Sequence, residues 1–383
     1  MLAELLDGIE PGAPAIELTI GEPRHPMPEM VMKGLEEAKQ LFGKYPPIQG
    51  TDEFRGAVAD WLGRRYGALK GLGPDALGIL PLSGTREGLF HIAFCAKMRK
   101  PGIANPAIMM PNPFYHTYAA AAGVSDADPV FLPAGEDTGF LPDLDAIDHE
   151  VLKRTVAFFL CSPANPQGTV ADAAYLSRAV ELAREHDFLL ITDECYSEIY
   201  TQSPPPGALE TAWEATGSLA NVISMHSLSK RSNLPGLRLG YCSGDPDFIE
   251  AFAGFRNVLA PQVPLPVLHA AVLVLRDEEH VEKNRALYRQ KFEAADMILA
   301  GRYGYTRPEG GFFLWLNVGQ FGGGLEAVKT LWKGCGVKLL PGCYLARDDA
   351  DGTNPAVDFI RVAMVQDLAT TEEALKRIVE TLK

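Results

Sequence analysis

The stretch 224–241, SMHSLSKRSNLPGLRLGY, sets one lysine, two arginines and four serines around a Pro-Gly turn between two short apolar runs. Val222, Ile223 and Met225 have the pattern of the buried end of a strand, and Leu237, Arg238 and Leu239 that of the start of another. Lys230 is therefore expected on the intervening loop, where α/β proteins carry their chemistry. Burial or neighbouring cations destabilise an ammonium ion and leave the lysine nucleophilic near neutral pH, and Arg231 and Arg238 are the candidates for that positive field. The serine hydroxyls and Arg238 suit a bound phosphate equally well. A solvated basic loop accounts for the same residues, so the rest of the chain has to decide.

Working outward, four more apolar runs each end in a polar cluster. Residues 78–82 lead into Ser83, Gly84 and Thr85, and 107–110 into Pro111, Asn112, Pro113, Phe114 and Tyr115. Residues 156–161 lead into the turn 162–168 that contains Asn165, and 188–192 into Asp193, Glu194, Cys195 and Tyr196. Helical periodicity follows the first and third runs. Apolar runs alternating with amphipathic helices predict an α/β fold whose mostly parallel sheet lies between helices, with function beyond the strands' carboxyl ends.

Residues 52–66 read as an amphipathic helix with its start signal at 50–52, and 278–300 as one long helix leading into a smaller α+β domain. There, 312–317 and 359–364 read as strands, and 370–382 as a closing helix with a Thr370/Glu373 capping box. Prolines 11, 14, 23, 26 and 28 keep the first segment extended, as a wrapping arm. The expected division is 1–40 as arm and part of the small domain, 41–285 as the large domain, and 286–383 as the small domain.

At 383 residues the chain is long enough for two packed domains, and its formal net charge of −14 leaves no surplus for a basic nucleic-acid face. Six scattered cysteines give neither a zinc spacing nor a disulfide framework, which points to no metal and to a reducing cytoplasm. No apolar run reaches membrane-spanning length, and the acidic start does not have the form of a signal peptide.

Ser83, Gly84 and Thr85 at a strand-to-helix junction make a phosphate cradle as readily as an ordinary helix cap. Asp193, after four apolar residues, is a carboxylate in need of a cationic or protonated partner. A phosphate cradle, a lysine, a strand-end carboxylate, an aromatic ring, and amide and phenol donors together meet the needs of a phosphorylated pyridine aldehyde. From residue 20 to residue 364 the chain resembles the class I and II aminotransferases of the pyridoxal-phosphate fold-type I superfamily.

That resemblance implies a role for each residue. Lys230 would form the Schiff base with pyridoxal 5′-phosphate and shuttle the proton in a ping-pong amino transfer. Ser227, Arg238, Ser83, Gly84 and Thr85 would hold the phosphate, and Asp193 the pyridine N–H. Tyr196 and Asn165 would meet the ring's 3′ oxygen, and Tyr115 would stack on the ring. Tyr45 would reach the phosphate of a neighbouring subunit, which implies a homodimer with shared sites. Arg361 would clamp the substrate α-carboxylate, helped by the Gly21 backbone N–H.

The wording IGEPRHP (20–26), PNPFYHTY (111–118) and DECYSEIY (193–200) is most similar to the succinyldiaminopimelate transaminase branch. This implies N-succinyl-LL-2,6-diaminopimelate and 2-oxoglutarate as substrates in lysine biosynthesis. Arg24 and, more weakly, Arg231 are the candidate readers of the far carboxylates, with the loop 256–266 as a further contributor. Alternatives are a transaminase for aspartate, aromatic amino acids or LL-diaminopimelate, a lyase on the same fold, and a non-catalytic regulatory relative.

Overall fold

The computed structural model describes residues 1–349 and 352–383. A two-residue strand in the arm, β1 (Ile16–Glu17), precedes the seven strands of the large sheet. These are β2 (Leu80–Leu82), β3 (Ala107–Asn112), β4 (Asp128–Pro133), β5 (Thr155–Cys161), β6 (Leu189–Asp193), β7 (Val222–Ser227) and β8 (Gly240–Gly244), in the spatial order β2-β8-β7-β6-β5-β3-β4. Every residue of β5, β6 and β7 is buried, because helices cover both faces. Their sequences therefore run apolar without alternation.

Only β8 runs against its neighbours, antiparallel to both β2 and β7. The other six strands consequently end on one rim, and β8 begins on it. Two departures from the sequence reading follow. Strand β4 lies at the partly exposed edge, and the sequence reading passed over its short apolar run at 130–132, set between two prolines. The residues 237–239 are not a strand start: a one-turn 3₁₀ helix spans Pro235–Leu237, and Arg238 takes a left-handed conformation with φ 54° before β8 begins. Lys230 is likewise not on an open loop but inside a helical turn, Leu228–Arg231, capped by Ser227.

The small domain carries an antiparallel sheet of β9 (Phe313–Asn317), β11 (Leu340–Pro341) and β12 (Phe359–Ala363), while β10 (Val337–Lys338) pairs in parallel with β1. The long helix Glu279–Leu299 joins the domains as its amphipathic pattern predicts. The closing helix Leu368–Thr381 starts earlier than expected, because Asp367 and not Thr370 caps it, and Glu373 pairs with Arg377 instead. Leu6, Ile16 and Leu18 of the arm pack into the small-domain core, but Val31 belongs to the large-domain core. The helix Met30–Glu37 lies on the helix Leu265–Arg276 so closely that a Cβ at Gly34 would stand 2.8 Å from Ala270 Cα. The arm thus crosses between domains before residue 40.

Residues 256–259 are helical, the last turn of Pro246–Leu259, and not part of a loop. Arg256 has no exposed surface, and its guanidinium pairs with the Glu87 carboxylate, so it is a structural tie and not a substrate reader. Removing one partner of a buried pair strands the other charge at a cost of about 3–5 kcal/mol. Arg256→Ala should therefore lower the melting temperature by many degrees, measured by calorimetry, more than truncation of any exposed arginine.

Candidate active site

A cleft of about 490 Å³ opens where β5, β6 and β7 end, between the large domain, the arm and the small-domain sheet. Asp193 is the last residue of β6, and Lys230 follows the end of β7 by three residues. Both line the cleft with Tyr115, Asn165, Tyr196 and Arg361.

The Lys230 ammonium rests on the Gly21 carbonyl and lies 5.3 and 5.8 Å from the ring centroids of Phe312 and Tyr196. Burial is the main cause that pulls its pKa from the ordinary lysine value down to about 8, and Arg361 adds to it. The positive field thus comes from the substrate side of the cleft and not from Arg231. That residue is buried elsewhere, 2.7 Å from Glu278, with its guanidinium over the Trp61 ring and a bond to the Val274 carbonyl at 3.2 Å. Nor does the structure leave Arg231 free to read a substrate.

Asp193 is buried, and burial raises its pKa. Its oxygens accept from the Tyr118 hydroxyl at 2.8 Å and the Cys195 amide at 3.3 Å, so a phenol and an amide hold it where a cation is missing. Tyr118 is a functional residue that the sequence reading overlooked. It sits three positions after Tyr115, on the inner face of the helix His116–Val124, stacked on Phe159 with centroids 4.8 Å apart. Two tyrosines at helical spacing beside a proposed ring-stacking position were the only signal.

Arg361 is 7% exposed on β12, and its partners are neutral: Asn165 Oδ1 at 2.9 Å and the Thr19 carbonyl at 2.7 Å. Its Nε is buried with no partner among the described residues. The guanidinium lies 4.3 Å from the Phe313 ring centroid, and burial lowers its pKa to about 10. Such a group calls for an anion.

The phosphate set is also gathered. The Arg238 guanidinium lies over Gly84, where any Cβ would overlap it, and donates to the Pro235 carbonyl at 2.6 Å. Gly84 has φ 88° and precedes the helix Thr85–Arg99, whose N-terminus faces the cleft. Ser227 Oγ accepts the Ser229 amide at 3.1 Å, and Thr85 Oγ1 accepts the Cys195 thiol at 3.2 Å. Ser83 turns partly away, its amide on Glu87 and its hydroxyl on the Pro261 carbonyl. The Tyr115 hydroxyl accepts from Arg86 Nε at 2.7 Å, and the Tyr196 ring packs edge-on to Phe312 at 5.3 Å.

Ser83, Gly84, Ser227 and Arg238 do not line the cleft themselves but adjoin it in the chain through Thr85 and Lys230, whereas Tyr45, 98% exposed, and exposed Arg24 lie outside the lining. The cleft is instead lined by Arg86, His116, Glu17 and Lys338, which sequence reading did not single out. Each lies on a different element, so no spacing could have joined them.

A buried carboxylate without a cation, a lysine amine of lowered pKa, and a glycine kept clear beneath an arginine at a helix N-terminus fit a phosphorylated pyridine carbonyl compound. The fold and site define a lysine-dependent enzyme of that cofactor class. A model of the class I and II aminotransferase family matches residues 13–378, and the chain belongs to that family. Its cofactor is pyridoxal phosphate.

A solved aminotransferase from Neisseria meningitidis is 37% identical, with a TM-score of 0.93 over 100% of this chain and 96% of its own. A probable N-succinyldiaminopimelate aminotransferase from Thermus thermophilus is 29% identical, with a TM-score of 0.84 over 100% and 98%. The LL-diaminopimelate aminotransferase of Desulforudis audaxviator is 31% identical over 86% of this chain and 83% of its own.

Two measurements address this geometry. An amine-directed reagent acting on the cofactor-free protein should modify Lys230 with a pH midpoint near 8, reactivity rising with pH as the ammonium loses its proton. Tyr118→Phe removes a hydrogen bond to a charged group, worth about 1.5–3 kcal/mol. It should weaken cofactor retention roughly tenfold or more, read by dialysis and absorbance, since 1.4 kcal/mol is about one factor of ten.

Proposed function

We propose that the chain, as a homodimer, transfers the amino group of a diaminopimelate-type donor to 2-oxoglutarate. The observation that carries this reading is Arg361, a buried guanidinium with neutral partners and a free Nε, presented beside Lys230. A guanidinium grips a carboxylate through two parallel hydrogen bonds and so fixes the donor's Cα–H bond. N-succinyl-LL-2,6-diaminopimelate is the donor favoured by the sequence wording and by the Thermus relative. LL-diaminopimelate is the second reading, favoured by the names of curated relatives such as that of Desulforudis.

When bound, pyridoxal phosphate supplies a carbonyl for the donor nitrogen and an electron sink conjugated to its Cα. The chain supplies the rest. Lys230, half neutral near pH 8, would take the proton from the donor Cα onto its Nζ and give it back on the same face. Asp193, held by Tyr118 and Cys195, would keep a proton on the ring nitrogen. Tyr196 and Asn165 would meet the 3′ oxygen, Tyr115 would cover the ring, and Arg238, Ser227, Ser83, Gly84 and Thr85 would hold the phosphate. Closure of the arm over Lys230 keeps water from the reacting atoms, and Gly21 belongs to that arm. Gly21 presents its carbonyl to Lys230, while its N–H remains available to the donor carboxylate.

Exposed Tyr45 lies close in sequence to exposed Phe42, and both suit burial against a second copy, where Tyr45 would complete the phosphate site. Arg24 would act on the donor's far end only if such packing or arm closure carried it inward.

The test is a donor panel with 2-oxoglutarate comprising N-succinyl-LL-2,6-diaminopimelate, LL-diaminopimelate, aspartate, phenylalanine and acetylornithine. A diaminopimelate donor should give the highest kcat/KM, and a clear preference for aspartate or phenylalanine would refute the reading. Lys230→Ala should abolish turnover with every donor. Arg361→Ala should lower kcat/KM by about 10²-fold or more for all of them alike, because the α-carboxylate is common to them. A loss confined to one donor would place Arg361 elsewhere.

A further inference from the structure

The cleft continues past Arg361 to an ion pair that the cofactor does not require. Glu17 and Lys338 are register partners on β1 and β10, their charged groups stand 2.7 Å apart, and both line the cleft. Leu340 lies opposite Arg361 on adjacent strands. Lys338 precedes Leu340 by two residues, where the chain passes from β10, paired with the arm, to β11, paired with β12, and both residues line the cleft with Arg361. Leu2, Leu340 and Leu345 line the same region of the cleft and offer apolar surface to a methylene chain.

Glu17 and Lys338 are 48% and 28% exposed, so each is held by its partner only weakly and can exchange it for a ligand group. One anion and one cation side by side complement a group that carries an ammonium and a carboxylate on the same carbon. They match a doubly anionic group poorly, because Glu17 repels the second carboxylate. We infer that Glu17 and Lys338 form the subsite for the distal end of the amino donor, and that this end is a free amino-acid group, not an acylated one. Lys338 takes the distal carboxylate, Glu17 takes the distal ammonium, and the pair sets specificity without touching the reacting atoms.

This assignment rests on the diaminopimelate-type reading of the donor and, within it, selects LL-diaminopimelate over the N-succinyl donor that the sequence wording favours. Kinetics of the holoenzyme with LL-diaminopimelate, its N-succinyl derivative and L-2-aminopimelate test it. The last compound keeps the chain and the distal carboxylate but lacks the distal ammonium. The wild type should prefer LL-diaminopimelate to both others by about tenfold or more, a difference of roughly 1.4 kcal/mol. Glu17→Gln should bring its preference over L-2-aminopimelate to within about twofold, whereas Lys338→Met should lower both by about tenfold relative to 2-aminohexanoate.

Because the pair also joins β1 to β10, the double variant Glu17→Lys with Lys338→Glu is included. It keeps an ion pair across the strands and should still lose the preference for the free donor. An unchanged ratio in Glu17→Gln, an equal loss with every donor, or a wild-type preference for the N-succinyl donor would overturn the subsite. A wild type that accepts none of these three compounds while using aspartate would instead overturn the donor reading itself, and the subsite with it.

Discussion

Buried Asp193 and Arg361 and half-buried Lys230 stand around one cleft, and among the described residues none has an opposite charge as a direct partner. Burying a charge without compensation is costly, so the surrounding structure is arranged to limit that cost. Asp193 takes a phenol and an amide, Arg361 takes a side-chain amide and a carbonyl, and Lys230 sheds part of its charge as its pKa falls to about 8. What remains unsatisfied is the complement of an amino acid and a protonated pyridine. Substrate and cofactor thereby complete the electrostatics of the fold.

Placing these groups together depends on one topological detail. With six strands pointing the same way, a reversed β8 starts on the rim where its neighbours stop. Arg238 therefore arrives beside Gly84, although the two stand 154 positions apart in the sequence. The arm then crosses from the small-domain core to the large one, passing Gly21 over Lys230 on the way. The arm thus touches both cores and Lys230 along one stretch of chain.

Arg231 and Arg256 illustrate how burial overrides local appearance. Arg231 sits beside Lys230 in the chain, yet successive residues of a helical turn point about 100° apart, and its guanidinium turns toward Glu278 and Trp61. Arg256 sits near a proline-rich loop but lies one helical turn inside the preceding helix. A basic residue next to a functional one carries no information about direction until the turn is built.

The sequence by itself determined the large-domain strands other than β4 and the start of β8, the long joining helix and the residues at the strand ends. Strand ends, prolines and glycines are local signals, and Lys230, Asp193, Asn165 and Arg238 each stand in one. Sequence could not reveal Tyr118 beneath Asp193, the direction of Arg231, the exposure of Arg24, or the cleft lining by Glu17, Lys338, Arg86 and His116. Those depend on contacts between elements far apart in the chain, and periodicity describes each element alone. Only the tertiary structure decided which charges would be left facing one another across the cleft, because burial and partner choice are properties of the packed molecule.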